Sequence, residues 1–262
     1  MTEAAVSPIE SPRRLRFNWV PEVLLRPRQA FQTIAAHTGG VWLTPMLILT
    51  LTSLVRVLLA GSIRQAAAAS GNVTLPPDFQ WYSPEQQAQL MQAMQAMQGP
   101  VFTYVFPALG ALLSVWLGWM IVGGLLHLVL TLLGGRGDTG SAMNVVAWAS
   151  LPFALRDLVR SAVMLVERQL IQHPGLAGFA PHSPDGSSGW FLFLASLMGL
   201  IDLYLIWHLI LLVTGVRATN GLAPSKSAGG VLIVLLLALA VQALIIFLGA
   251  RFGATSVLRP FM

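Results

Sequence analysis

The sequence predicts an all-α, polytopic transmembrane helical bundle of five spans, with four as the alternative, preceded by a short amphipathic helix at the membrane interface. Three observations predict it. The 262 residues are 55% hydrophobic and only 10% charged, whereas soluble domains carry about 25% charged residues. A water-soluble fold of this length exposes too much surface to hide such an excess of apolar side chains. The apolar residues also gather in long blocks separated by Gly, Pro and Arg, and about 20 consecutive apolar residues cross the hydrocarbon core. Finally, the net charge of +5 comes largely from arginines beside those blocks. That placement is topogenic and argues against a nucleic-acid partner.

In chain order, residues 1–18 carry no apolar core of signal-peptide type and read as a disordered cytoplasmic tail. Arg13, Arg14, Arg16, Arg26 and Arg28 all precede the first span. They place the N-terminus in the cytoplasm and form an interfacial basic set opposite anionic headgroups. Pro27 suits the first position of a helix. After it, Ala30, Phe31, Ile34 and Ala35 share one face, and Arg28, Gln29, Gln32 and Thr33 the other. Such a helix either lies on the headgroups or packs on the bundle as a connector.

The membrane domain is expected over 19–252, with spans near 41–63, 101–133, 141–170, 190–214 and 230–250 and a short tail at 253–262. The second block is long for one crossing, and Pro107 marks a candidate break. The third is apolar only to Leu155 and then meets Arg156, Asp157 and Arg160. If it does not cross, Arg156, Arg160, Arg168, Arg251 and Arg259 move to the inside, so charge counting favours four spans. The outer loop 65–99 contains Ser83-Pro84-Glu85, an N-cap with proline at the first helical position. A Gln-rich helix follows, with Leu90, Met91, Met94 and Met97 as its apolar stripe. Gly110, Ser114 and Gly118 recur every four residues in the second span, a packing signal within the bundle or at a dimer face.

Three further stretches carry a family likeness. They are Leu24-Leu25-Arg26-Pro27 with Ala30-Phe31 and Ile34; Gly134-Gly135-Arg136-Gly137 with the apolar run Val145 to Pro152; and Ile206-Trp207-His208 through Gly215-Val216-Arg217. In order and spacing the chain resembles the Yip family (Ypt-interacting protein domain) of multispanning membrane proteins, in its bacterial and archaeal branch. The resemblance implies five spans, a cytoplasmic N-terminus and an external C-terminus. It also implies association with membrane traffic and small GTPases, as in eukaryotic members, or with ABC-type export systems, as in some bacterial ones. Asp202-Leu203-Tyr204 is similar to a short motif of eukaryotic members, but its neighbours differ and no role is carried over.

The residues that could carry chemistry are few. There is no cysteine, which excludes disulfides and thiolate metal sites. Gly134-Gly135-Arg136-Gly137 lacks the strand before and the Lys-Ser/Thr after that a phosphate loop needs. No cofactor and no metal is expected. The Met91, Met94, Met97 stripe could suit Cu(I), but reads more simply as the apolar face of an amphipathic helix. Asp202 falls near the middle of the fourth block, where a charge costs roughly 2.5–3.5 kcal/mol and calls for a partner. Arg56, Arg156 and Arg160 are candidate partners. Arg156 and Arg160, four apart, share a helix face, while Asp157 points about 100° away from Arg156. His208 shares a face with Tyr204 and suits an interhelical hydrogen bond. Asp202, Arg56, Arg156, Asp157, Arg160 and His208 therefore form a candidate intramembrane polar network. The expected function is a non-enzymatic scaffold or accessory subunit of a membrane transport, export or trafficking assembly in a prokaryotic plasma membrane. Its partners would be lipid, other membrane proteins such as an ABC-type exporter, or a second copy. The alternative is a transporter or channel with a midplane Asp202 proton or ion site.

Overall fold

The computed structural model describes residues 15–37, 39–69, 79–171, 173–180 and 189–255, and all regular structure among them is helical. Residues 1–14, with Arg13 and Arg14, lie outside the described residues, as do 256–262 of the C-terminal tail. Two short helices come first, α1 (Trp19–Leu25) and α2 (Pro27–Ala35). The apolar stripe of α2 is buried: Ala30, Phe31 and Ile34 face protein, while Arg26 and Arg28 are exposed. The helix thus sits on the bundle as a connector, and its polar side looks outward.

Helix α3 (Leu43–Ala69) makes the first pass. It starts beside α1, where the Arg16 N–H donates to Thr44 Oγ1 at 2.8 Å. It ends where Tyr104 packs over Gly61 and donates its hydroxyl hydrogen to Gln65 Oε1 at 2.9 Å. Next, α4 (Pro84–Met97) opens with the expected cap. Gln86 N–H donates to Ser83 Oγ, and Ser83 N–H to Gln86 Oε1, a reciprocal capping box. A wide π-helical turn, Val101–Val105, leads into α5 (Phe106–Leu132). Pro107 has no N–H, and its ring crowds the carbonyl four residues back; a wide turn relieves that conflict. Helix α5 is therefore the second pass, shorter than the block that contains it.

The third and fourth blocks are each two helices. Residues expected as one span over 141–170 form α6 (Thr139–Ala149) and α7 (Leu151–Glu167). Pro152 at the start of α7 cannot donate into α6, so the axis breaks at Ser150. Residues expected as one span over 190–214 form α8 (Gly189–Leu200) and α9 (Leu203–Asn220). Helix α10 (Pro224–Thr255) ends the described chain.

Side-chain bonds fix the direction of each pass. Helix α5 returns to the α1–α2 end, where Lys226 Nζ donates to Leu133 O at 3.4 Å. Helix α6 starts at that end, where Gly137 N–H donates to Asn220 Oδ1 at 3.2 Å. Helix α7 reaches the far end, where Arg160 meets Asp202 at 3.4 Å. From there α9 comes back to Asn220, and α10 runs out again until Phe247 meets Phe193 of α8 edge-on at 6.2 Å. Among the described residues the helices run end to end five times, the third time as α6 and α7 together. Among the described residues four helices, α3, α5 with its leading turn, α9 and α10, are long and apolar enough to cross a membrane singly. Helix α8, 12 residues long and about 18 Å, is not.

Candidate functional site: a charge network and a polar knot

Among the described residues two polar clusters interrupt the apolar bundle. The first forms at the far end because the third pass carries charges that must be neutralised. Asp202 is not inside a continuous helix, as its position in the fourth block suggests. It is the N-cap of α9, with φ −144° and ψ 176°. Its Oδ1 accepts the Leu205 N–H at 2.9 Å, which satisfies a donor the helix leaves open. The short carboxylate competes for main-chain donors and ends the preceding helix, and its charge suits the helix N-terminus. The carbonyls freed at the end of α8 are also used: Leu176 N–H bonds Met198 O at 3.0 Å and Ile201 O at 3.1 Å. The break is thereby closed on both sides, the condition for broken helices in low dielectric.

The other oxygen of Asp202, Oδ2, takes Arg156 Nη1 and Arg160 Nη2, each at 3.4 Å. The i, i+4 spacing of these two arginines, legible in the sequence, aims both at one carboxylate. Arg56 is not a partner of Asp202. It pairs instead with Asp157, Nε to Oδ1 at 3.1 Å, because Asp157 lies on the α7 face that packs on α3. Helix α7 therefore makes one ion pair to α3 and two to the N-cap of α9. The aspartate side chains are 11% exposed, and the arginines lie between 22% and 36%. Arg156 also stacks over Phe153, 4.7 Å to the ring centre, and Phe153 packs at 4.6 Å on His208. His208 is buried, with Nδ1 at 2.8 Å from Ala149 O. A carbonyl only accepts, so Nδ1 carries the proton. His208 thus bonds the main chain at the α6–α7 break, and the sequence-predicted set divides into an ion-pair network plus a neighbouring clamp.

The second cluster is at the α1–α2 end and was not singled out by sequence reasoning. Asn144 is buried, accepting Val41 N–H on Oδ1 at 2.9 Å and donating from Nδ2 to Gly39 O at 3.1 Å. Trp148 Nε1 donates to Val41 O at 3.0 Å, and its ring meets Trp19 at 5.6 Å. Asn220 holds the α5–α6 turn: besides Gly137, Arg136 N–H reaches its main-chain oxygen at 3.3 Å. Any Cβ at position 137 would collide with the Asn220 side chain, so the close approach requires glycine. Gly215 of α9 likewise admits Phe31 of α2 and Val145 of α6. A cavity of about 390 Å³ opens here, with His37, Arg136, Asp138, Ser141, Asn144 and Thr219 on its wall. The signals available in the sequence were Asn144 inside an otherwise apolar run and Asn220 directly before a glycine.

Among the described residues no three His, Cys, Asp or Glu side chains converge as metal ligands. Chemically, the far cluster can lock passes together, and the near knot can hold the amphipathic helix and the glycine turn in one arrangement. The amphipathic helix, the glycine turn with the run after it, and α9 are the three stretches on which the family likeness rests, brought into contact by the fold. Residues 22–246 match the Yip1 domain. No curated protein and no solved structure matches the chain. The match covers most of the sequence and embraces both polar clusters, and the chain belongs to the Yip1 domain family of integral, multi-pass membrane proteins, a family associated with membrane trafficking.

Proposed function

We propose that this chain is a non-enzymatic scaffold or accessory subunit of a membrane transport, export or trafficking assembly, in the bacterial and archaeal branch of its family. Its N-terminus would be cytoplasmic and its C-terminus outside, in a prokaryotic plasma membrane. The observation that carries the reading is how the polar groups inside the bundle are used. Asp202 holds two arginines and caps α9, Asp157 holds Arg56, and His208 bonds a main-chain carbonyl. Such pairing suits structural fixation, and buried pairs of this kind are strongly destabilised when one partner is removed. Partners would be other membrane proteins, an ABC-type exporter among them, or a second copy. Purification of the full chain from its own membrane in mild detergent, followed by native mass measurement, tests this. A stoichiometric partner is the expected result; a solitary chain at 28.2 kDa opposes the reading.

The second reading, a transporter or channel using Asp202, draws on the discontinuity between α8 and α9. Broken helices line ion and substrate sites in many transporters. Flux into proteoliposomes carrying wild type or Asp202→Asn separates the two: this reading expects flux that falls with the substitution, and the scaffold reading expects no flux above protein-free vesicles.

A further inference from the structure

Arg56 and Arg64 sit eight residues apart on α3 and line one groove of about 310 Å³ against α5. The α5 wall is made of Pro107, Gly110, Ala111 and Ser114. It is low because the side chains are small, and a Cβ added at Gly110 would meet nothing within 4 Å. The depth of the groove follows from helix rise. Thr44 is the tie between α3 and the α1–α2 end. From it, Arg56 lies about 18 Å and Arg64 about 30 Å along the axis, and the hydrocarbon is about 30 Å thick. Arg64 therefore reaches the far boundary, with Arg56 about 12 Å below it.

Charge supplies an independent argument. The network on α7 joins Arg56, Arg156 and Arg160 to Asp157 and Asp202. Among the described residues this is one more cation than anion, and Arg64, exposed at the rim, adds another. Arg56 faces Asp157 through Nε, while a guanidinium presents five N–H donors in a fork suited to phosphate. Uncompensated cations bordering hydrocarbon favour an anionic partner.

We propose that this groove binds the phosphate headgroup of an anionic phospholipid from the leaflet opposite α1 and α2. Arg64 meets the phosphate at the boundary, Arg56 adds its positive charge from deeper in the groove, and an acyl chain lies along the small-residue face of α5. Basic pockets between membrane helices select anionic lipids in this way. The site is separate from the basic residues around α2, which lie at the other end of the bundle.

Native mass measurement of the full-length protein tests the proposal, using phosphatidylglycerol and phosphatidylcholine with identical acyl chains. Wild type is expected to retain phosphatidylglycerol preferentially. Arg64→Gln is expected to lose about fivefold of that preference, the order expected for one surface arginine, with an unchanged melting temperature, and Arg64→Lys to restore part of it. Equal retention of both lipids by wild type overturns the proposal, as does an Arg64→Gln protein that keeps the full preference. In a parallel melting assay, inorganic phosphate that stabilises wild type as well as phosphatidylglycerol does would assign the site to a soluble anion and overturn the lipid assignment.

Discussion

Asp202 does two jobs with its two oxygens, and substitutions separate them. Asparagine is an equally good N-cap but carries no charge. Asp202→Asn should therefore keep the Leu205 N–H bond and lose only the attraction to Arg156 and Arg160. Asp202→Ala should lose both, at a further cost of about 1 kcal/mol for the cap. Thermal unfolding in detergent should rank wild type above Asn and Asn above Ala; an Ala variant as stable as the Asn variant would remove the capping role. The pair between Arg56 and Asp157 makes a sharper demand, since each residue is the other's ionic contact at 3.1 Å. Breaking a buried pair from one side costs about 3–5 kcal/mol, and partial exposure of Arg56 reduces that. Arg56→Met and Asp157→Leu should each destabilise, and the double variant should recover much of the loss. Additive losses in that cycle would mean that the two side chains do not act together.

Among whole elements, the contacts that matter are those where helices come closest. A side chain at Gly215 would press on Phe31 and Val145, and overpacking of this kind costs about 1–3 kcal/mol. Gly215→Leu should lower folded yield and melting temperature by detaching α2 from α9. Gly118→Leu should be nearly silent, because a Cβ there meets nothing within 4 Å. Equal damage from both would contradict the packing described. This contrast marks where sequence reading stops. Small-residue spacing in the second span was legible, but which glycines touch a neighbour was not, since Gly110 and Gly118 face open space while Gly61, Gly123 and Gly215 are covered. The capping box at Ser83 and the proline start of α2 were legible because they are local. The break at Asp202 was missed because hydropathy averages over a single charged residue in an apolar block, whereas the chain's conformation turns on where that carboxylate finds its donors. The exchange of partners, Arg56 to Asp157 instead of Asp202, depends on which face of α7 meets α3, a tertiary fact.

The whole molecule hangs on its third pass. Charge counting favours leaving α7 out because basic residues then gather on the inside, and Arg156, Asp157 and Arg160 are costly in lipid. The structure places each of them against an opposite charge on α3 or at the N-cap of α9, so the same residues that argue against crossing become its fastening. The family likeness implies five spans; the described helices run end to end five times, and four of them are long and apolar enough to cross a membrane singly. Five passes put the two termini at opposite ends, whereas four would return them to one side. Attaching a side-specific reporter to the N-terminus and, separately, to the C-terminus of the intact protein in its native membrane measures this directly. The account predicts that the N-terminal reporter is accessible only from the cytoplasm and the C-terminal reporter only from the opposite face; both reporters on the cytoplasmic side would contradict it.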